Sequence, residues 1–127
     1  MTEGRVQKMH HASLLVGDTQ RALTFYKDLL GLRPEERPEL GFPGAWLCLG
    51  NGQTLHLLEL PDPSADAPRP EHGGRDRHLA LQVDVLAPFI ARLEDLGIPY
   101  TASRSGRAAI FCRDPDGNAI ELVEQPG

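Results

Sequence analysis

Four side chains with metal-binding chemistry occur in short segments of alternating apolar and polar residues: His11, His56, His78 and Glu121. Such alternation is typical of strands, in which successive side chains point to opposite faces. In each segment the donor side chain falls on the face opposite to the more apolar set. Imidazole nitrogen and carboxylate oxygen are donors suited to a divalent Zn, Ni, Fe, Co or Mn ion. We therefore predict that these four side chains are metal ligands.

A repeat within the chain relates the four residues in pairs. Two segments of the form H-x-x-L-x-V begin at His11 and His78, and each leads into an amphipathic stretch ending in Leu-Gly-apolar. The same repeat places His56 and Glu121 in equivalent late strands, and it aligns residues 46–48 with 110–112. If the halves pair about a pseudo-twofold axis, all four donors meet at one centre. The sequence leaves open whether that pairing occurs within one chain or between two.

Each half is predicted to fold as a strand, a helix and three further strands. Asp18 fits a helix N-cap and Gly31 a C-terminal glycine, while Pro88 suits the first turn of the second helix. The predicted strands are 8–16, 32–37, 44–49 and 54–60, then 77–83, 99–104, 107–113 and 118–124, with helices at 19–30 and 86–96. Because about 60 residues make a marginal domain alone, the halves are expected to share one core.

Four prolines between the halves indicate an irregular linker. We divide the single domain, residues 1–127, into module one (7–60), the linker (61–76) and module two (77–125).

Other ionisable residues of the same types are predicted to lie outside the site. His10 should point to the face opposite His11, and His72 falls in the linker. Neither has a counterpart in the repeat, so we expect no functional role for them. Glu59 and Glu124 are interpreted as exposed residues at strand edges.

The composition excludes several classes of protein. With 40% hydrophobic and 24% charged residues, the 127-residue chain is typical of a globular domain, not of a disordered one. The net charge of −5 disfavours a nucleic-acid partner. The apolar runs fall short of the roughly 20 residues of a membrane helix, and no signal-peptide core is visible, so we expect a cytoplasmic protein with no membrane partner. Cys48 and Cys112 form no C-x-x-C pair and are predicted to be buried free thiols.

These motifs resemble the vicinal oxygen chelate superfamily, which includes glyoxalase I, fosfomycin-thiol transferases, extradiol dioxygenases and bleomycin-binding proteins. The resemblance covers nearly the whole chain and is carried by residues 11–16, Phe25-Tyr26, 30–32, 77–83 and above all the segment DPDGNAIEL at 114–122. It implies an α+β fold in which two paired βαβββ modules form a cupped mixed sheet, with the helices on the convex side. It also implies a divalent metal and a homodimer.

The resemblance implies roles for particular residues. His11, His78 and Glu121 match the family's metal ligands, and Ser13 matches a hydroxyl residue that contacts substrate in the thiol transferases. Glyoxalase I often has a glutamate where this chain has His56. Glu121 is then the carboxylate left to transfer a proton, and we predict that it is the catalytic base.

The substrate cavity is predicted from the neighbouring residues. We expect an apolar lining and a positively charged group for an acidic part of the substrate, although the segment 103–107 also fits a solvated hairpin. The predicted substrate-binding residues are Ser13, Trp46, Leu58, Arg104, Arg107 and Phe111.

Three functions fit these features. The first is a metal-dependent lyase or isomerase of the glyoxalase type, acting on a small oxygen-chelating molecule such as a thiol adduct. The second is an Fe(II) dioxygenase or a thiol transferase of the same superfamily, with His56 outside the ligand set in the dioxygenase. The third is a non-catalytic, bleomycin-resistance-like protein that binds a drug or metabolite without a metal.

Overall fold

The computed structural model describes residues 3–126, which form two four-stranded mixed sheets, one for each half of the chain. The elements are β1 (His11–Val16), α1 (Thr19–Leu23), a π-helix (Thr24–Leu29), β2 (Arg33–Glu35), β3 (Gly44–Cys48) and β4 (Thr54–Glu59), then β5 (His78–Val83), α2 (Ala87–Asp95), β6 (Tyr100–Ala102), β7 (Ala109–Arg113) and β8 (Ala119–Glu124). The strand orders are β1-β4-β3-β2 and β5-β8-β7-β6. In each sheet the first pair is parallel and the others are antiparallel. The predicted α+β fold of two βαβββ modules is confirmed.

The predicted helix at 19–30 is regular only in its first turn. From Thr24 to Leu29 it is a π-helix, in which the Leu30 N–H donates to the Phe25 carbonyl at 3.0 Å. The wider turn accompanies the burial of two adjacent side chains, because Phe25 and Tyr26 are 3% and 0% exposed. Within residues 3–126, no helix is long and apolar enough to cross a membrane.

The first residues of both helices are capped by the last strand of their own module. Besides the predicted cap at Asp18, the Glu59 carboxylate accepts hydrogen bonds from the Thr19 N–H at 2.7 Å and hydroxyl at 3.0 Å. At the equivalent place, the Glu124 carboxylate accepts a 2.9 Å bond from the Leu86 N–H. The interpretation of Glu59 and Glu124 as exposed edge residues is therefore wrong, since each joins its sheet to a helix.

The two modules share one hydrophobic core, as expected. Its fully buried members include Tyr26, Leu47 and Leu57 from module one and Leu93 and Ile120 from module two. The apolar side chains that the sequence alternation assigned to the helix-facing sides of the strands supply this core.

The turn between β7 and β8 fastens module two to module one. The buried carboxylate of Asp114 accepts a 2.6 Å hydrogen bond from the Tyr26 hydroxyl. Asp116 accepts from the Gly17 N–H at 2.9 Å, and the amide of Asn118 donates to a β1 carbonyl at 3.1 Å. The motif that the sequence indicates as a tight turn thus also fixes how the modules pack within one chain.

Part of the linker is ordered against module two. It contains a 3₁₀ turn, Gly73–Arg75, preceded by His72, which is 8% exposed and lies edge-on to Phe111 with ring centroids 5.0 Å apart. A Cβ atom at Gly74 would lie 2.7 Å from Nε2 of His72, so the glycine permits this close approach. The prediction of an entirely irregular linker is wrong at this turn.

The strand β1 is shorter than predicted. It begins at His11 instead of residue 8, so His10 precedes the alternating segment. Nδ1 of His10 lies 2.9 Å from Nδ1 of His11. The prediction that His10 points away from His11 is therefore wrong.

Both cysteines are free thiols, as predicted, but their environments differ. Cys112 is buried, whereas Cys48 is only half-buried, because it lies at the end of β3.

Candidate active site

One group of predicted site residues lies across three adjacent strands of module one. The strand register pairs His56 of β4 with Ser13 of β1 on one side and Trp46 of β3 on the other. His56 is stacked between His11 and Trp46, with ring centroids 4.2 and 4.3 Å apart and interplanar angles of 17° and 7°. We call His11, Ser13, Trp46 and His56 the first half-site.

The environment of His56 favours its neutral form. Burial lowers the pKa of His56, and the nearby His11 lowers it further. Neutral imidazole is the form that binds a metal. Nε2 of His56 lies 3.1 Å from the Thr54 hydroxyl, while the indole N–H of Trp46 is buried without a hydrogen-bond partner among residues 3–126. The first half-site therefore combines a His56 ring that favours its neutral form with the indole N–H of Trp46.

A second group occupies the equivalent strands of module two. Glu121 of β8 is 2% exposed, and its Oε1 lies 3.3 Å from Nε2 of His78. Its other oxygen lies 3.5 Å from the guanidinium of Arg107, whose side chain is 61% exposed. Phe111 pairs with Glu121 in the strand register and packs edge-on to His78 at 5.0 Å. We call His78, Arg107, Phe111 and Glu121 the second half-site.

The strand register corrects the alignment of the repeat by one residue. Trp46 pairs with His56 and Phe111 pairs with Glu121, so Trp46 and Phe111 are equivalent. The predicted alignment of 46–48 with 110–112 is wrong. It matches Trp46 with Ile110, whose side chain lies on the face opposite to that of Phe111. A slip of one residue exchanges the two faces of a strand. The corrected register puts an aromatic ring beside the candidate ligand of each final strand.

Hydrogen bonding gives Nδ1 of His78 a donor role. Its Nδ1 lies 2.9 Å from the Asp76 carbonyl oxygen, which can only accept, so Nδ1 is the donor. Nε2 faces the Glu121 carboxylate, and without a proton on Nε2 both groups are acceptors. Two acceptors that face each other at this distance require a proton or a metal cation between them. An imidazole nitrogen and a carboxylate oxygen are a donor set that fits a divalent metal.

The four predicted ligands do not meet within one chain. His11 lies with His56, and His78 lies with Glu121. Across residues 3–126, no group of three or more histidine, cysteine, aspartate or glutamate side chains is arranged to hold a metal ion. The ligand set as a whole therefore stays a prediction.

The remaining predicted substrate residues lie around these half-sites. Leu58 is half-buried, two residues beyond His56, and pairs with Leu15 of β1. Arg104 is exposed in the loop between β6 and β7, close enough to His72 that its charge contributes to lowering the pKa of His72, for which burial is the larger cause.

Sequence reasoning missed three residues beside the second half-site. His72 hydrogen-bonds through Nδ1 with the Thr101 hydroxyl at 2.7 Å, and Asp76 and Arg113 form a 2.9 Å ion pair next to His78. Their positions depend on the folding of the linker, for which the repeat gave no template.

A sequence profile of the glyoxalase/bleomycin resistance protein/dioxygenase superfamily matches residues 8–122. The chain belongs to this family. Its β-strand arrangement and motifs are also those expected of the vicinal oxygen chelate superfamily, so the resemblance drawn from the sequence is confirmed.

Two curated relatives are one-third identical to the chain. A lactoylglutathione lyase of Haemophilus influenzae is 33% identical over 122 residues, which cover 90% of each protein. The protein named glyoxylase I 4 of Arabidopsis thaliana is 33% identical over 120 residues, covering 90% of this chain and 68% of the relative. These relatives support a glyoxalase-family enzyme. The family acts on small molecules and is typically dimeric.

A solved structure with the same fold contains a metal. It is a variant of the fosfomycin resistance protein FosX from Listeria monocytogenes, complexed with Mn(II) and 1S,2S-dihydroxypropylphosphonic acid. It has a TM-score of 0.72 and 16% identity, covering 94% of this chain and 93% of that chain. At this identity the comparison establishes the shared fold, and the Mn(II) is a property of that protein.

Proposed function

We propose that this protein is a metal-dependent lyase or isomerase of the glyoxalase type, acting on a small molecule that offers two oxygens to the metal. The observation that carries the proposal is the contact between Nε2 of His78 and the buried carboxylate of Glu121 at 3.3 Å. Burying a carboxylate is costly unless a positive charge compensates it. A divalent cation held by this pair supplies that charge.

The metal ligands come from two copies of the chain. One copy contributes His11 and His56, and the second contributes His78 and Glu121. Two facts support this arrangement: the pairs are separate within one chain, and the family is typically dimeric. In a twofold-symmetric dimer, each copy gives its first half-site to one centre and its second half-site to the other.

Glu121 is the residue that transfers the proton. When bound, a divalent metal supplies Lewis-acid stabilisation of negative charge on a substrate oxygen. Glu121 is the carboxylate among the four predicted ligands, and its second oxygen faces Arg107 at 3.5 Å. That oxygen takes a proton from the substrate carbon and returns it at the product position.

The two half-sites also supply groups for the rest of the substrate. The hydroxyl of Ser13 is exposed beside His56, and the indole N–H of Trp46 is a donor for which the described residues supply no acceptor. Leu58 and Phe111 offer apolar surface. The exposed side chains of Arg104 and Arg107 compensate an acidic group of the substrate.

A complementation experiment tests this function and the shared site together. One variant carries His11→Ala and His56→Ala, the other His78→Ala and Glu121→Gln, and the two are expressed alone and together. Each alone retains the ligands of only one half-site. In a mixed dimer, one centre has all four ligands, so random pairing restores about a quarter of the wild-type sites. The readouts are bound metal per chain after dialysis and isomerase activity on thiohemiacetals of 2-oxoaldehydes.

The outcomes separate the proposed function from its rivals. Recovery of metal and activity on co-expression supports the shared catalytic centre. Purified wild-type protein that binds no divalent metal, yet binds an aromatic ligand equally well in wild-type and His78→Ala forms, overturns the proposal in favour of a sequestering protein. Metal bound by the wild type but not recovered on mixing contradicts the two-chain site.

A further inference from the structure

Arg113, in the last position of β7, holds three segments together next to the second half-site. Its Nη1 donates to Oδ2 of Asp76 at 2.9 Å and to the Gly117 carbonyl at 2.8 Å. Its Nη2 donates to the Pro70 carbonyl at 2.6 Å. The side chains of Arg113 and Asp76 are only 25% and 13% exposed, so solvent screens this ion pair weakly. One guanidinium thus fixes the linker on both sides of the 3₁₀ turn.

Asp76 connects this network to His78. Its side chain binds Arg113, and also Arg69 at 3.5 Å, while its backbone carbonyl accepts the hydrogen bond from Nδ1 of His78 at 2.9 Å. A carbonyl can hold a histidine ring only if the peptide group that carries it is itself held in place. The residues that fix Asp76 therefore also fix the plane and the tautomer of the His78 ring.

We propose that Arg113 is a positioning residue for His78, acting through Asp76 so that Nε2 faces Glu121. The inference rests on the proposed function only in taking His78 as a metal ligand. Arg113 itself touches neither substrate nor metal. Lysine is a poor replacement, because one ammonium group does not reproduce the fixed fork with which the guanidinium reaches three acceptors.

Residues 7–60, which form module one, contain no equivalent of the hydrogen-bond network that joins Arg113, Asp76 and His78. The strand register makes Cys48 the counterpart of Arg113, since these residues pair with Thr54 and Ala119 at the starts of the two final strands. The equivalent histidine, His11, meets Nδ1 of His10 instead of a carbonyl. Two ring nitrogens do not specify which of them carries the proton. The fixed tautomer is thus a specialisation of the second half-site.

The experiment measures the tautomer of His78 directly. In metal-free, uniformly ¹⁵N-labelled protein in alkaline buffer, two-dimensional NMR of the imidazole nitrogens distinguishes protonated Nδ1 from protonated Nε2, and His78→Gln assigns the signal. We expect Nδ1 of wild-type His78 to carry the proton that binds the Asp76 carbonyl, and part of the Arg113→Gln molecules to have lost that proton to Nε2. Divalent metal affinity, measured with a competing chelator, should fall about tenfold in Arg113→Gln, the lower end of the range for outer-shell partners.

Arg92→Gln is the matched control. Arg92 also donates to a backbone carbonyl, that of Leu29 at 3.0 Å, but this bond joins α2 to the π-helix and does not hold the linker. We expect it to change neither the tautomer nor the metal affinity, even if it lowers the free energy of unfolding. Asp76→Asn, which keeps the size of the side chain and loses its charge, provides a second test if Arg113→Gln does not fold.

The inference and the proposed function fail in different ways. Wild-type protein that binds no divalent metal removes the proposed function, while a tautomer that changes in Arg113→Gln still establishes the positioning. A His78 tautomer that stays the same in both Arg113→Gln and Asp76→Asn overturns the inference, whatever the metal affinity.

Discussion

The hydroxyl of Tyr26 donates a 2.6 Å hydrogen bond to the buried carboxylate of Asp114, and this bond joins module one to module two within the chain. It lies among the buried side chains of the shared core, not in either half-site. Together with the contacts of Asp116 and Asn118, it fixes the packing that keeps the two half-sites of one chain apart. The same turn motif that carries the family resemblance therefore fixes the packing in which, on the proposed function, a second copy completes each site.

Tyr26→Phe should lower the free energy of unfolding, and more at neutral than at acid pH. Burial raises the pKa of Asp114, and the Tyr26 hydrogen bond partly opposes the shift. A carboxyl with a raised folded-state pKa contributes most to stability at low pH and loses that contribution as the pH rises. Removing the hydroxyl raises this pKa further. We expect a loss of about 1.5–3 kcal/mol at neutral pH, where the acceptor is charged, and about 0.5–1.5 kcal/mol once it is protonated.

Urea unfolding at two pH values measures this effect, and Tyr100→Phe is its control. The Tyr100 hydroxyl also donates to a carboxylate, Glu94 at 2.7 Å, but on the surface. We expect little change in that variant at either pH. Equal losses for Tyr26→Phe at both pH values would contradict the assignment of a buried, charge-assisted bond.

Glu121→Gln should remove most of the metal affinity without unfolding the protein. The amide has nearly the same shape, but it lacks the negative charge that faces His78. We expect the dissociation constant for a divalent metal to rise by more than the roughly 10–100-fold typical of losing an outer-shell partner. The metal-free variant should be no less stable in urea, because a buried charge has been removed.

Glu124→Gln, a substitution on the same strand, is the matched control for the metal-affinity measurement. Its carboxylate accepts a hydrogen bond from the Leu86 N–H at the start of α2, away from the ligands. It should lower stability and leave the metal affinity unchanged. A metal affinity that falls equally in both variants would mean that loss of structure, not of a ligand, is being measured.

The elements of the fold were predictable because they depend on local spacing. The alternation around His11 and His78 gave the strand faces, and the signals at Asp18 and Gly31 gave the helix ends. The same alternation placed all four candidate ligands on the faces away from the helices, where the structure brings His11 beside His56 and His78 beside Glu121.

The features that the sequence did not predict depend on contacts between residues that lie far apart along the chain. Arg113 and Asp76 are 37 positions apart, and nothing in either local segment indicates that they meet. His72 is buried because the linker folds back onto Phe111, a packing that its proline-rich composition does not indicate. The separation of the half-sites is likewise a property of module packing, which the repeat left open.

The two cysteines should differ in reactivity. Burial raises the pKa of Cys112 to about 12, so almost none of it is thiolate at neutral pH. Cys48 is half-buried and accessible at the end of β3. We expect iodoacetamide to modify only Cys48 in the folded protein and both cysteines in urea, as measured by mass spectrometry of tryptic peptides. Modification of Cys112 under native conditions at a comparable rate would contradict its burial.

Trp46 should support metal binding through its stacking on His56. Loss of the indole frees one face of the imidazole, which then samples orientations unsuited to coordination. An aromatic contact is worth about 0.5–1.5 kcal/mol beyond the area it buries, which corresponds to about a 2- to 10-fold change in affinity. We therefore expect Trp46→Leu to weaken divalent metal binding by that factor in the chelator competition.

Trp46→Phe separates stacking from simple loss of volume. Phenylalanine keeps an aromatic face against His56 and lacks the indole N–H, which has no hydrogen-bond partner in the described part of the chain. If stacking on the ring orients His56, this variant binds metal nearly as tightly as the wild type. If the indole N–H donates to the substrate, the variant binds the substrate more weakly. Equal metal affinities for the Leu and Phe variants would show that the stack does not orient His56, because only one of them retains a ring.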